Sequence, residues 1–380
     1  MKVLHLINTL SAGGAELQLL TLCRYLKRYG VESIVACLRE YVQGSRSLRP
    51  DFEREGIRVI TLRADGRYDL CFPGRLVGLL RQEEPEILHT HLPRADFAGA
   101  VGRLLCPSIP WICSVHDIYN GSWSAEWSLA LCSLFWRKSD GVIAISYAVK
   151  DWLVEERHVP SEKVTVIHYG IEPEQFARRD ADRRKTWSLE GRAVVGSIGR
   201  LEPRKAHDRL IRAMPALLEQ VPNASLLIAG HDPWGYGKDL HALIAELGVE
   251  EQVRIVGFQA DIASFLGALD VFAFPSRSEG FGQVVIEAMM AGKPVVARRI
   301  PPLTEIVVDG GTGLLVEPEK PETFARAVSW LLMHPEEAQH MGMQGRERIY
   351  SHFSAEKMVA KVMSLYDELA GKHYDQKSMA

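Results

Sequence analysis

Short apolar runs recur along this chain at near-even spacing, each followed by a glycine-bearing or charged turn and then by a helix-like segment. In the first half the runs are VLHLINTL (3–10), ESIVACL (32–38), VITL (59–62), EILHTHL (86–92), WICSVHD (111–117), GVIAIS (141–146) and VTVIHYG (164–170). They are apolar along their length rather than alternating, which suits strands covered on both faces. Helical patterns lie between them, such as AELQLLTLCRYLKRYG, which closes on Gly30 as a C-cap. A parallel sheet flanked by helices follows.

The second half repeats the plan with AVVGSIG (193–199), SLLIAG (225–230), VRIVGF (253–258), VFAFPS (271–276), PVVARR (294–299) and GLLVEP (313–318). Both halves open on a strand, a glycine turn, a helix and a second strand. A chain of 380 residues has room for two such domains. The expected division is 1–170, then 171–352, with a last helix over 353–371 packing back towards the first domain. The stretch IEPEQFARRDADRRKTWSLEGR (171–192) is charged and weakly periodic, and reads as the connection. Two doubly wound, Rossmann-like α/β domains are expected, with the carboxyl ends of their strands facing across a cleft.

Composition narrows the function. The net charge of −3 gives no reason to expect a nucleic-acid partner. Between Arg39 and Arg81 there are nine arginines, no lysine and six acids; a solvated face explains them, and attraction to lipid phosphate is the other reading. Six cysteines, Cys23, Cys37, Cys71, Cys106, Cys113 and Cys132, show no Cys-x-x-Cys or zinc spacing, so reduced, buried thiols of a cytoplasmic protein are expected. The opening MKVLHLINTLSAGG is too short in its apolar part for a signal peptide, and no run reaches the ~18 residues of a spanning helix. A cytoplasmic protein, with peripheral contact at the inner face of the membrane left open, is the expected location.

Candidate site residues fall just after strands, where doubly wound folds bind ligands. The loop SAGGAE places Gly13 and Gly14 at a helix start, where backbone can approach a ligand and the dipole favours negative charge; a tight turn needs glycine in any case. GRLEPRKAH sets Arg200 and Lys205 between a strand and a helix, a pairing that suits a diphosphate or two exposed surface charges. In SEGFGQVVIEAMMAG, Gly280 and Gly282 flank Phe281 at a strand-to-helix turn preceded by Glu279. Glu287 lies about five residues inside the helix, roughly 7–8 Å along its axis. Two carboxylates so spaced fit the polar ends of one elongated ligand better than a single metal. Glu287 stands among Val284, Val285, Ile286, Ala288, Met289 and Met290, where a carboxylate needs a partner.

His116 ends the run WICSVHD and is a candidate hydrogen-bond partner for substrate. His89 and His91 share one face of a strand, yet no third ligand is apparent and no metal is expected. Nucleotide-redox and hydrolase signatures are missing: there is no Gly-x-Gly-x-x-Gly, Walker loop or Gly-x-Ser-x-Gly. Asp180-Ala181-Asp182 lies in the charged connection rather than after a strand and reads as solvated charge. Trp123, Trp127 and Trp136 suit helix packing, acceptor stacking or a membrane interface.

These residues together resemble the family 4 glycosyltransferases, retaining enzymes of the GT-B fold. The likeness rests on GGAE near the start, His116, AIS (144–146), GRL with Lys205, and above all Glu-Gly-Phe-Gly-x4-Glu from Glu279 to Glu287. The resemblance implies an acceptor-binding first domain and a nucleotide-sugar-binding second domain. It implies that Arg200 and Lys205 hold the donor diphosphate and that Glu279 with the Phe281 and Gly282 amides positions the sugar. Glu287 would take the ribose hydroxyls, Gly14 would lie near the phosphates, and His116 would meet the sugar at the reacting centre. Transfer of a hexose to a glycan or lipid-linked acceptor, with no metal and no cofactor, is what such enzymes do; the departing diphosphate helps deprotonate the acceptor in a front-face displacement. The chain departs from the family pattern at Lys205-Ala206, where Lys-Gly is common, and at Tyr169-Gly170-Ile171-Glu172, where Asn-Gly-Ile-Asp is common. An inactive nucleotide-sugar-binding module and a GT-B-like sugar-nucleotide epimerase remain open alternatives, with a nicotinamide oxidoreductase a poor third.

Overall fold

The computed structural model describes residues 1–40, 46–64, 72–119, 123–176, 183–317 and 321–371, with the backbone alone over 123–128 and at 321. Two compact units emerge from its packing: Met1–Gly170 with the chain from Ala355 onward, and Ile171–Ser354.

Among the described residues, seven strands build the first unit: β1 (Lys2–Ile7), β2 (Glu32–Cys37), β3 (Arg58–Thr61), β4 (Ile87–His91), β5 (Trp111–Val115), β6 (Gly141–Ala144) and β7 (Val164–Val166). Their order is β3-β2-β1-β4-β5-β6-β7, and every pairing is parallel. The second unit holds β8 (Ala193–Ile198), β9 (Ala224–Ala229), β10 (Val253–Ile255), β11 (Val271–Phe274), β12 (Val295–Arg298) and β13 (Leu314–Val316). These run β10-β9-β8-β11-β12-β13, again parallel throughout. Central strands β4, β5, β9 and β11 are buried at every residue, which is why their sequences do not alternate.

Each apolar run outlasts its strand at the carboxyl end. VTVIHYG pairs only over Val164–Val166, and VFAFPS only to Phe274. Beyond the strand, these two runs leave the sheet with Tyr169 7% exposed and Ser276 0%.

In the first unit, the Gly14–Arg28 helix carries Glu16 in its first turn and Lys27 and Arg28 in its last, matching the helix dipole, and Gly30 beyond it has φ +73°. Its Leu19, Cys23 and Leu26 share a core with Met358, Val359, Val362 and Tyr366 of the Ala355–Leu369 helix. The stretch 171–192 is more than a tether: Phe176 and Leu189 are buried, and Arg184 bonds the Ala268 carbonyl and Asp270. Asp180 and Asp182 lie outside the described residues.

The five described cysteines are free and buried, whereas Cys71 lies outside the described residues. In the Arg39–Arg81 stretch most described arginines have partners: Arg46 and Arg54 on Asp51, Arg49 on Glu40 and Glu53, Arg58 on Glu83. Trp136 is buried, its indole N–H donating to Asp96 at 2.9 Å, so it packs a core; the Trp123 and Trp127 side chains lie outside the description. Among the described residues no helix is long and apolar enough to cross a membrane.

Candidate functional site

In the second unit β8 and β11 are neighbours, and the strand order reverses between them. Loops leaving their carboxyl ends must part to opposite sides, which opens a crevice at that point. The β8 loop runs Gly199–Glu202, makes one 3₁₀ turn over Pro203–Lys205, passes Ala206 and enters the His207–Gln220 helix. From β11 the chain runs through Ser276–Gly282 into the Gln283–Met290 helix.

The two loops are tied together. The Arg277 N–H donates to the Arg204 carbonyl at 2.8 Å, and Ser276 Oγ donates to the same carbonyl at 3.3 Å. Lys205 Nζ meets Glu279 Oε1 at 2.6 Å with the side chains 13% and 9% exposed. Burial raises the Glu279 carboxyl, but the Lys205 charge and hydrogen bond, Ser276 and Arg204 together outweigh it and hold the group below its ordinary range. Arg200 is exposed, pairs with Glu202 at 3.2 Å and lies against the Trp234 ring at 5.3 Å. Glu202 also takes Arg204 at 3.4 Å, so one carboxylate sets two guanidinium groups at the rim.

Ala206 stands at φ +54°, ψ 35°, in the left-handed region, and is wholly buried. The family's glycine at this place has a steric reason, and alanine adopts the same conformation at a cost of about 1–2 kcal/mol. Behind it, His207 donates from Nε2 to the Gly199 carbonyl at 3.3 Å, and burial lowers its pKa to about 4.

Gly282 caps the next helix at φ +113°, and a Cβ there would come within 2.5 Å of Leu303 Cδ2. Both its conformation and its space demand glycine. Phe281 is 2% exposed and packs on Phe353 at 5.8 Å between ring centres, which anchors the turn. Glu287, fifth in that helix, is half-buried and accepts from Gln283 Nε2 at 3.0 Å. Burial pushes its pKa up to about 7, against a small lowering by Gln283.

Arg200, Lys205, Glu279, Gly280, Phe281, Gly282 and Glu287 thus share the two loops and one helix of the second unit. Gly13, Gly14 and His116 belong to the first. There the strand order reverses between β1 and β4, and Gly13 and Gly14 start the helix after β1. His116, just past β5, is bonded through both ring nitrogens: Nδ1 with Tyr169 Oη at 2.7 Å and Nε2 with His91 Nδ1 at 3.2 Å. A substrate oxygen reaches a nitrogen of His116 only by replacing one of these partners.

Sequence reasoning missed His5, Arg204 and Gln283. His5 lies inside an apolar run, and only the register His5↔His89 between β1 and β4 shows that it joins the other histidines. Adjacency to Lys205 was the one available signal for Arg204, and the i, i+4 spacing to Glu287 the one for Gln283.

Comparison with known proteins bears on the family and the fold. Residues 12–175 match the Glycosyltransferase Family 4 profile and residues 178–348 that of Glycosyl transferases group 1. An uncharacterized glycosyltransferase of Methanocaldococcus jannaschii is 29% identical over 76% of this chain and 77% of its own. A D-inositol 3-phosphate glycosyltransferase of Corynebacterium glutamicum is 27% identical over 97% of this chain and 95% of its own. Among solved structures, Anabaena HepE in complex with UDP and glucose superposes with a TM-score of 0.86 at 24% identity, covering 97% of this chain and all (100%) of that one. Two parallel-sheet domains of this kind make the GT-B architecture, and the two family profiles between them take in nearly the whole sequence. The chain is a member of glycosyltransferase family 4.

Proposed function

We propose that the chain is a retaining hexosyltransferase that moves a sugar from a nucleoside diphosphate to a hydroxyl of a glycan or lipid-linked acceptor without a metal. The observation that carries this reading is the buried Lys205–Glu279 pair, held at 2.6 Å beside Arg204 where two loops part from adjacent strands. A nucleoside diphosphate leaving group must have its growing charge neutralised. Arg200 and Lys205 supply cations at that point. The ammonium of Lys205 has three N–H donors and Glu279 takes one, leaving others for phosphate oxygens.

Glu279 stays ionised, so its second oxygen can accept from sugar hydroxyls while the amides of Phe281 and Gly282 fix the sugar's orientation. Glu287 accepts from the ribose hydroxyls a turn further along the helix. Gly14 and His116, on the first unit, are the groups proposed to contact phosphate and the transferred sugar. No side chain is assigned as nucleophile. The departing diphosphate takes the acceptor proton, and the cations lower the barrier by stabilising that charge. HepE is recorded with UDP-glucose, and a curated relative from Mycolicibacterium smegmatis is a GDP-mannose-dependent phosphatidylinositol monomannoside mannosyltransferase, 37% identical over 49% of this chain. Both support a nucleotide-sugar donor, and the second supports a lipid-linked acceptor.

The test is a transfer assay in EDTA over a panel of nucleotide sugars and acceptors, with the anomeric proton of the product read by NMR. Acceptor-dependent nucleotide release with retained configuration is expected. Inversion, loss of turnover in EDTA, or epimerised sugar released without an acceptor would overturn the reading.

A further inference from the structure

The first unit gathers four histidines, His5 on β1, His89 and His91 on β4, and His116 after β5. His5, His89 and His91 are at most 2% exposed. Three of the four form a line. His5 Nδ1 faces His91 Nε2 at 3.3 Å, His91 Nδ1 faces His116 Nε2 at 3.2 Å, and His116 Nδ1 faces Tyr169 Oη at 2.7 Å. His89 stands outside it: its nitrogens face Tyr366 Oη at 2.6 Å and Ser114 Oγ at 2.7 Å, and its ring lies 4.1 Å from that of His91. It braces the plane of His91.

Burial keeps all four imidazoles neutral at ordinary pH. A neutral imidazole has one N–H and one bare nitrogen. Three contacts in series therefore allow two orders. Either every ring carries its proton on Nδ1, pointing towards Tyr169, or every ring carries it on Nε2, pointing towards His5.

Two observations separate them. His5 Nε2 ends the line in the core with no partner among the described residues. The second order would leave an N–H there, and orphaned buried N–H groups are rarer than under-used acceptors. At the other end the carboxylates of Glu16 and Asp117 act on Tyr169. Negative charge there draws N–H and O–H dipoles towards it, which favours the first order.

We propose that His91, backed by the dead end at His5, is a positioning residue that locks His116 as the Nδ1–H tautomer, so that His116 meets substrate as a hydrogen-bond donor and not as a base. This rests on the assignment of His116 to substrate contact made above. When substrate displaces the Tyr169 hydroxyl, the freed group is an N–H, suited to a sugar or acceptor oxygen.

Nitrogen-15 imidazole NMR of the full-length protein tests it, with the His116 signals identified by His116→Gln. The wild type is expected to show His116 protonated at Nδ1. His91→Asn keeps an N–H donor near the Nδ1 position and retains that tautomer; His91→Phe removes the donor and admits the Nε2–H form. Turnover in His91→Phe should fall about tenfold or more, as a misplaced imidazole proton does elsewhere, with nucleotide affinity unchanged and most of the rate restored in His91→Asn. His5→Leu, which removes the dead end, is the second variant and should likewise admit the Nε2–H form. The proposal fails if wild-type His116 is protonated at Nε2, or if its tautomer ignores both the His91→Phe and His5→Leu changes. It also fails if the purified protein carries one zinc per chain that His91→Phe abolishes, since His5, His89 and His91 bring ligand atoms within 4.8 Å of one another. The spectra need no substrate, so a protein that transfers no sugar would sink the function proposed above and leave the tautomer result to stand or fall by itself.

Discussion

Lys205 and Glu279, 74 residues apart in the chain, meet at 2.6 Å beneath the crevice of the second unit. Neither loop defines this geometry alone. The first is shaped by a left-handed alanine and the second by a glycine at φ +113°, and the ion pair fastens one to the other.

Removing one partner leaves a buried charge, which is costly. Lys205→Met should destabilise the second unit by about 3 kcal/mol in urea unfolding, and Lys205→Met with Glu279→Gln should recover most of that. The pH dependence follows from the lowered Glu279 carboxyl. A folded value below the unfolded one gives stability that is full above the ordinary glutamate range and is lost as pH falls through the folded value. Acid unfolding monitored by circular dichroism should therefore be steeper in the wild type than in Glu279→Gln.

Glu287 has the opposite sign. Its folded pKa of about 7 exceeds the ordinary 4.5, so the native state binds the proton more tightly and stability falls as pH rises between those values. Glu287→Gln should flatten that slope and raise stability above neutrality by about 1–2 kcal/mol, the side chain being only half-buried. Nucleotide binding should move the other way. If the carboxylate accepts the ribose hydroxyls, affinity should tighten by about tenfold from roughly pH 6 to 8 in the wild type, and much less in Glu287→Gln, by calorimetry.

At Ala206 the left-handed backbone makes glycine nearly free. Relief of strain offsets the lost methyl and the added chain entropy, so Ala206→Gly should shift stability by less than about 1 kcal/mol. Ala206→Val, with a branched Cβ in the same conformation and no room around it, should cost more than about 2 kcal/mol. Thermal melts of the pair decide this.

Two glycines should respond differently. Gly282→Ala meets both φ +113° and the Leu303 methyl at 2.5 Å, and should cost roughly 2–4 kcal/mol. Gly13 has an extended φ of −152°, and an added Cβ would come within 2.6 Å of Glu16 Oε2, the far end of a side chain, with no backbone atom nearer than 3.8 Å. Gly13→Ala should fold with close to wild-type stability, as measured by urea midpoint.

All thirteen strands among the described residues were legible as apolar runs, because a strand covered on both faces needs no alternation. Their carboxyl limits were not, since buried loop such as Pro275–Ser276 is as tightly held as the strand before it. Lys205, Glu279 and Glu287 stood out for their positions after strands or within an apolar helix. Arg204 completes the site through contacts that only the folded loops create, and Gln283 through an i, i+4 hydrogen bond within its own helix. Likewise His5 joins His91 through the pairing of β1 with β4, strands separated in sequence by two others. The positive φ at Ala206 left no mark in the sequence beyond the departure from the family's glycine.

The central claim is a nucleoside diphosphate held by Arg200, Lys205 and Glu287. Calorimetric titration of UDP, GDP and ADP in EDTA, into the wild type and Glu287→Ala, tests it most directly. Saturable binding of one of the three, weakened at least about tenfold by Glu287→Ala, is the predicted result. Binding of none, or binding that Glu287→Ala leaves unchanged, would contradict the account.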